Sequence, residues 1–101
     1  MLFVGGFNHP PNVDAARWFV EDILPRVSAA LPDCHFHLVG SNPNSVVKAL
    51  ATVSVTVHGY VADAVLESLY RDVGLAVVPL RYGAGVKGKV LEAVQHNVPL
   101  V

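Results

Sequence analysis

Short apolar runs alternate along this chain with segments of helical spacing, and that alternation restricts the possible folds more than any other feature. Leu2-Phe3-Val4 leads into Gly5-Gly6 and the stiff turn Asn8-His9-Pro10-Pro11. Beyond it Val13, Ala16, Val20, Ile23, Leu24 and Val27 recur at the spacing of one buried helical stripe. Asn12 is placed to cap this helix and Asp14 to support its positive end, while Pro25 should kink or split it before a stop near Ala30. Phe36 to Val39 reads as a second strand, Ser45 to Leu50 as a short helix and Val53 to Val57, rich in β-branched residues, as a third strand. A helix from about Asp63 to Arg71, a strand from Gly74 to Leu80, a helix from Lys87 to His96 and the start of a strand at Val98 to Val101 complete the order.

Strands joined by helices need crossover connections, which are right-handed and produce a parallel sheet covered on both faces. The expectation is an α/β domain, a Rossmann-like parallel sheet of about five strands with helices on both faces. A chain of 101 residues holds one such domain at most. It stops at the fifth strand with no helix to cover it, which predicts a piece of a longer polypeptide. In sheets of this kind ligands bind beyond the carboxyl ends of the strands. The loops at 5–12, 40–44, 58–62 and 81–88 all fall on that edge.

The charge is uneven. Arg81, Lys87 and Lys89 are three of the seven basic residues, no acid interrupts them, and yet the formal net charge is -1. They surround Gly83, Gly85 and Gly88, where a strand turns into a helix and presents free N–H groups and a positive dipole end. That is an anion site. The near-neutral balance argues against nucleic acid, which leaves a basic stripe over a whole face. A hydrophobic fraction of 52% implies a surface that meets another domain or subunit, a homodimer through the truncated face included. No stretch reaches the apolar length that crosses a bilayer, and Met1 to Phe7 lacks the pattern of a signal peptide, so a cytoplasmic setting is the default. The single Cys34 forms no internal disulfide, in keeping with a reducing compartment.

His35 and His37 share a strand face and could begin a metal site. Without a third ligand at suitable spacing they read as a surface or edge pair. His58 sits on the ligand edge, and Trp18 and Phe19 are most simply packing residues.

Taken in order, Val4-Gly5-Gly6, Leu38-Val39-Gly40, His58-Gly59-Tyr60-Val61, Val77-Val78-Pro79-Leu80 and Gly85-Val86-Lys87-Gly88-Lys89-Val90-Leu91-Glu92-Ala93 through Val98-Pro99 resemble the C-terminal half of the family 4 (group 1) glycosyltransferases. The resemblance covers essentially the whole chain. It implies one half of a GT-B architecture, so that residues 1–101 are part of the C-terminal, nucleotide-sugar-binding domain of a retaining transferase of the kind used in polysaccharide biosynthesis. The acceptor-binding N-terminal domain is then missing, and the chain alone should be inactive. By the resemblance Glu92 binds the donor ribose, Lys89 the diphosphate, and Gly59-Tyr60-Val61 lie against the nucleobase. Gly83, Gly85 and Val86 would offer backbone to the phosphates, Lys87 and Arg81 would add charge, and Gly5 and Gly6 would let the first loop approach. A UDP- or GDP-linked sugar is the expected substrate, with no cofactor and no metal.

The chain also departs from the family. The first glutamate of the family's pair falls on Ala84, and the basic pair expected after the first strand is absent from Phe7 to Asn12. A non-catalytic α/β interaction module is therefore a competing expectation, as is a nucleotide-sugar epimerase half-domain, which shares the architecture.

Overall fold

The computed structural model of the chain describes residues 1–80 and Pro99. Strands β1 (Leu2–Val4), β2 (Phe36–Val39) and β3 (Val55–His58) form one parallel sheet in the order β1-β2-β3. Phe3 lies opposite Leu38, and His37 opposite Thr56. On the other side of β1 the Leu2 N–H donates to the Leu75 carbonyl at 3.0 Å and the Val77 N–H donates to the Leu2 carbonyl at 2.9 Å, a parallel bridge centred on Ala76. β1 is thus flanked on both sides, and the chain order across the sheet reverses at it, as in a doubly wound α/β fold.

Among the described residues the sheet departs from the expected number of strands at one place, and in an explicable way. Where Gly74 to Leu80 reads as a full strand, the structure forms one bridge. In that register the next donor to β1 falls at Pro79, which has no N–H, so the ladder stops. Ala76 turns its own N–H the other way and donates to the Pro99 carbonyl at 2.7 Å. The rest of the expected fifth strand and the Lys87 to His96 helix lie outside the described residues.

Alternation along the strands sorts side chains onto two faces. Phe3, Phe36, Leu38, Val55 and Val77 point to one face and form the main core with Phe7, Ala15, Ala16, Phe19, Leu24 and Val47. Leu2, Val39 and Ala76 point to the other and pack with Tyr70, Leu66 and Leu69. The first face is covered by helices α1 (Pro10–Trp18), α2 (Leu24–Ala30) and α3 (Ser45–Lys48), and the second by α4 (Asp63–Asp72). Phe19 and Phe36 anchor the main core with ring centroids 4.5 Å apart.

The first helix begins earlier than Asn12, with His9 as its cap and Pro10 and Pro11 in its first turn. Proline suits these positions because their N–H groups would have no helical partner. Asn12 is thus no cap: it is 4% exposed, and its Nδ2 donates back to the Gly6 carbonyl at 2.8 Å. The first turn carries no acid, so Asp14 does not support the helix end as expected. Pro25 does split the helical region. A π-helical turn at Phe19–Ile23 separates α1 from α2, which carries Pro25 in its first turn and ends at Ala30. The wider turn accommodates a residue that can neither donate nor fit beneath the preceding carbonyl. β3 starts later than Val53 because Thr52 bridges back to Val55, leaving Val53 at the tip of a tight turn and 97% exposed.

Candidate functional site

The carboxyl end of β1 is where the sheet order reverses, and the chain packs closely there. The Gly5 N–H donates to the Val39 carbonyl and the Phe7 N–H to the Ser41 carbonyl, both at 2.9 Å, so the loop after β1 is fastened to the loop after β2. Asn12 braces this loop from below. A Cβ on Gly5 would stand 2.9 Å from the Asn12 side chain, and one on Gly40 would overlap the Gly5 carbonyl. Glycine is required at these two places for close approach of backbone to backbone and of backbone to helix. Among the described residues the Asn12 Oδ1 has no hydrogen-bond partner.

Of the residues singled out in the sequence, the structure places Gly5 and Gly6 at this crevice and Tyr60 and Val61 after β3, all on one edge of the sheet. Tyr60 is 81% exposed, whereas Val61 packs against the cluster of Leu2, Val39 and Tyr70. On the way toward the basic loop, Val77 belongs to the main core and Leu80 packs against it. Arg81, Gly83, Gly85, Val86, Lys87, Lys89 and Glu92, with Ala84, lie outside the described residues.

Two features escaped the sequence reading. An open cleft of about 570 Å³ lies between the start of α1 and the start of α3 and is lined in part by Asn8, Asp14, Arg17 and Asn44. Arg17 also holds Glu21 at 3.1 Å, an exposed i,i+4 pair. The second is a row of histidines on the α4 face of the sheet. His37 Nδ1 lies 3.1 Å from His58 Nε2, and His35 Nε2 lies 2.6 Å from Thr56 Oγ1. The period-two spacing of His35 and His37 was visible, but the approach of His58 depends on strand register. Burial, followed by the neighbouring His35 and His58, lowers the His37 pKa from its ordinary 6.5. No group of three or more His, Cys, Asp or Glu able to hold a metal occurs among the described residues, and no described helix is long and apolar enough to cross a membrane.

Comparison with known proteins agrees with the resemblance. The family model described as "Glycosyl transferases group 1" matches residues 1–101. An "Uncharacterized 44.6 kDa protein in cps region" of Klebsiella pneumoniae is 26% identical over 108 residues, an alignment that takes in 100% of this chain and 28% of that protein. A parallel sheet that reverses at a glycine-bearing strand end, with a family match from the first residue to the last, leads to one conclusion: this chain belongs to the group 1 glycosyltransferases.

Proposed function

We propose that this chain is the donor-binding domain of a retaining glycosyltransferase, which moves a sugar from a nucleoside diphosphate to a glycan, lipid or small-molecule acceptor. The observation that carries this reading is the crevice at the end of β1, where the order of the sheet reverses and Gly5 and Gly40 let the loops after β1 and β2 approach closely. The segment that bridges to β1 at Ala76 leads in sequence into Arg81 and the glycine-rich stretch, and this reading takes that basic loop to serve the same edge.

In this reading Glu92 accepts two hydrogen bonds from the ribose hydroxyls, strengthened by its charge. As the acceptor oxygen bonds to the anomeric carbon from the face that the diphosphate leaves, the bond to the diphosphate breaks, the leaving oxygen takes the electron pair, and the proton of the acceptor hydroxyl passes to the departing diphosphate. Lys89 and the N–H groups around Gly83 and Gly85 neutralise that charge, with Arg81 and Lys87 adding to the field. Tyr60 and Val61 flank the nucleobase. The chain spans 28% of the length of its Klebsiella relative, so the acceptor side belongs to the rest of the parent protein and this domain alone binds donor without turning it over. Free Cys34 fits a reducing, cytoplasmic setting.

Calorimetric titration with UDP, GDP and ADP tests the reading. One of them should bind saturably, and Lys89→Ala and Glu92→Ala should each weaken it about tenfold or more, the worth of a charged hydrogen bond. Absence of saturable binding to the folded chain, or variants that bind as tightly as the parent, would overturn it. Ala84 in place of the family's first glutamate favours a second reading, an interaction module without chemistry, and the first of those negative results would move the reading towards it or towards a damaged fragment.

A further inference from the structure

β3 lies at the edge of the described sheet, paired with β2 alone, and His58 is its last residue. Beyond it Gly59 stands in open space and Tyr60 is exposed, until Val61 packs beside Tyr70. What ties the end of β3 to its neighbour through side chains is the contact between His37 Nδ1 and His58 Nε2. Val39 is the register partner of His58, so the His37 ring crosses diagonally to reach it. α4 packs over Leu2, Val39 and Ala76, toward the opposite side of this face, and both histidines remain half-buried.

A hydrogen bond between two imidazoles needs one nitrogen to donate and the other to accept. When both rings are protonated every ring nitrogen is a donor, and the two N–H groups oppose each other. Among the described residues, the groups around His37 offer no counter-charge. β2 contributes His35, whose ring centroid is 4.8 Å away; β3 contributes Thr56 and His58; the Met1 amino group donates to the His35 carbonyl; and α4 contributes Tyr70 to the same face. The ionisable groups that act on His37 are His35, His58 and the Met1 amino group, each of them positive when charged.

We propose that the His37–His58 contact is a proton-operated latch that fastens the end of β3 and the Gly59-Tyr60-Val61 segment at neutral pH and releases them in acid. It is a positioning device, built on a contact between side chains of two neighbouring strands. Its bearing on ligand rests on the donor-binding reading above, whereas the latch itself does not.

The test is an NMR titration of the whole chain from about pH 8 to pH 5, a range that spans the ordinary histidine value, following the histidine rings and the backbone amides without ligand. The amides of His58, Gly59 and Tyr60 should move along the same curve as the His37 ring, with a midpoint below 6.5. In His58→Gln the His37 midpoint should rise toward 6.5, and the segment should lose its acid response; His37→Gln should abolish that response from the other side. A His37 curve unchanged by His58→Gln, or segment amides indifferent to it, would overturn the latch. Affinity for whichever of UDP, GDP or ADP binds should then fall in acid by up to about tenfold per pH unit, the limit for one linked proton. His37→Gln should remove that component, leaving the phosphate's own titration near about pH 6. Equal acid sensitivity in parent and variant would separate the latch from binding. If no nucleotide binds at any pH, the donor reading fails, and the ring and amide curves still decide the latch.

Discussion

At Gly40 a hydrogen atom is all that fits. A Cβ there would overlap the Gly5 carbonyl and stand 3.1 Å from Phe7 Cε2, so Gly40→Ala must push apart the two loops that frame the crevice. The expected cost is about 2 kcal/mol or more, the scale of overpacking against atoms that cannot yield. Gly59→Ala meets nothing within 4 Å and should change stability by less than about 1 kcal/mol. Urea midpoints of the two variants measured together check the contrast. Little in the sequence separates these glycines, since each follows an apolar run that ends at a turn. Asn12 is similar. Its side chain type suggested a cap, but the prolines before it take the opening turn, and its amide is left to brace the loop above it.

Among the elements, α3 depends most on a single side chain. It is four residues long, and Asn44 Oδ1 accepts the Val47 N–H at 3.0 Å. Asn44→Ala should cost about 1 kcal/mol, as for other helix caps, and should loosen Val47, which is fully buried in the main core. Equilibrium unfolding gives the first quantity, and hydrogen exchange at Val47 the second. Elements whose limits are set by local chemistry were readable in advance. Phe36 to Val39 forms the expected strand, Ala30 ends the expected helix, and Pro25 divides it. Where a limit depends on a distant partner, the sequence misleads. Gly74 to Leu80 looks like a whole strand, but its length is governed by where Pro79 falls against β1, and that register is not written in either segment alone.

At the scale of the whole molecule, two partly buried bases among the described residues respond to pH in the same direction. His37 is lowered from 6.5, chiefly by burial with His35 and His58 adding to it, and the Met1 amino group is lowered from 8.0 by burial. Each therefore binds fewer protons folded than unfolded between its lowered and its ordinary pKa. Stability is fully present above the ordinary value and is lost as pH falls through the lowered one, so it rises with pH across this window. Urea midpoints should increase from acid up to about pH 8, where the Met1 contribution is complete, and His37→Gln should flatten the part below 6.5. The alternation of strands and helices was legible, and with it the class of fold. The basic, glycine-rich stretch from Arg81 to Glu92 was legible as a motif and lies outside the described residues. The central place of β1 has a kinetic meaning too. Its far edge is completed by Leu75 and Val77, so nearly all the described chain must be threaded before that side closes. Folding routes that begin with β1, β2 and α1 carry an unsatisfied strand edge until late, which makes this a slow, non-local step and a point where a stalled intermediate can pair with another copy of itself.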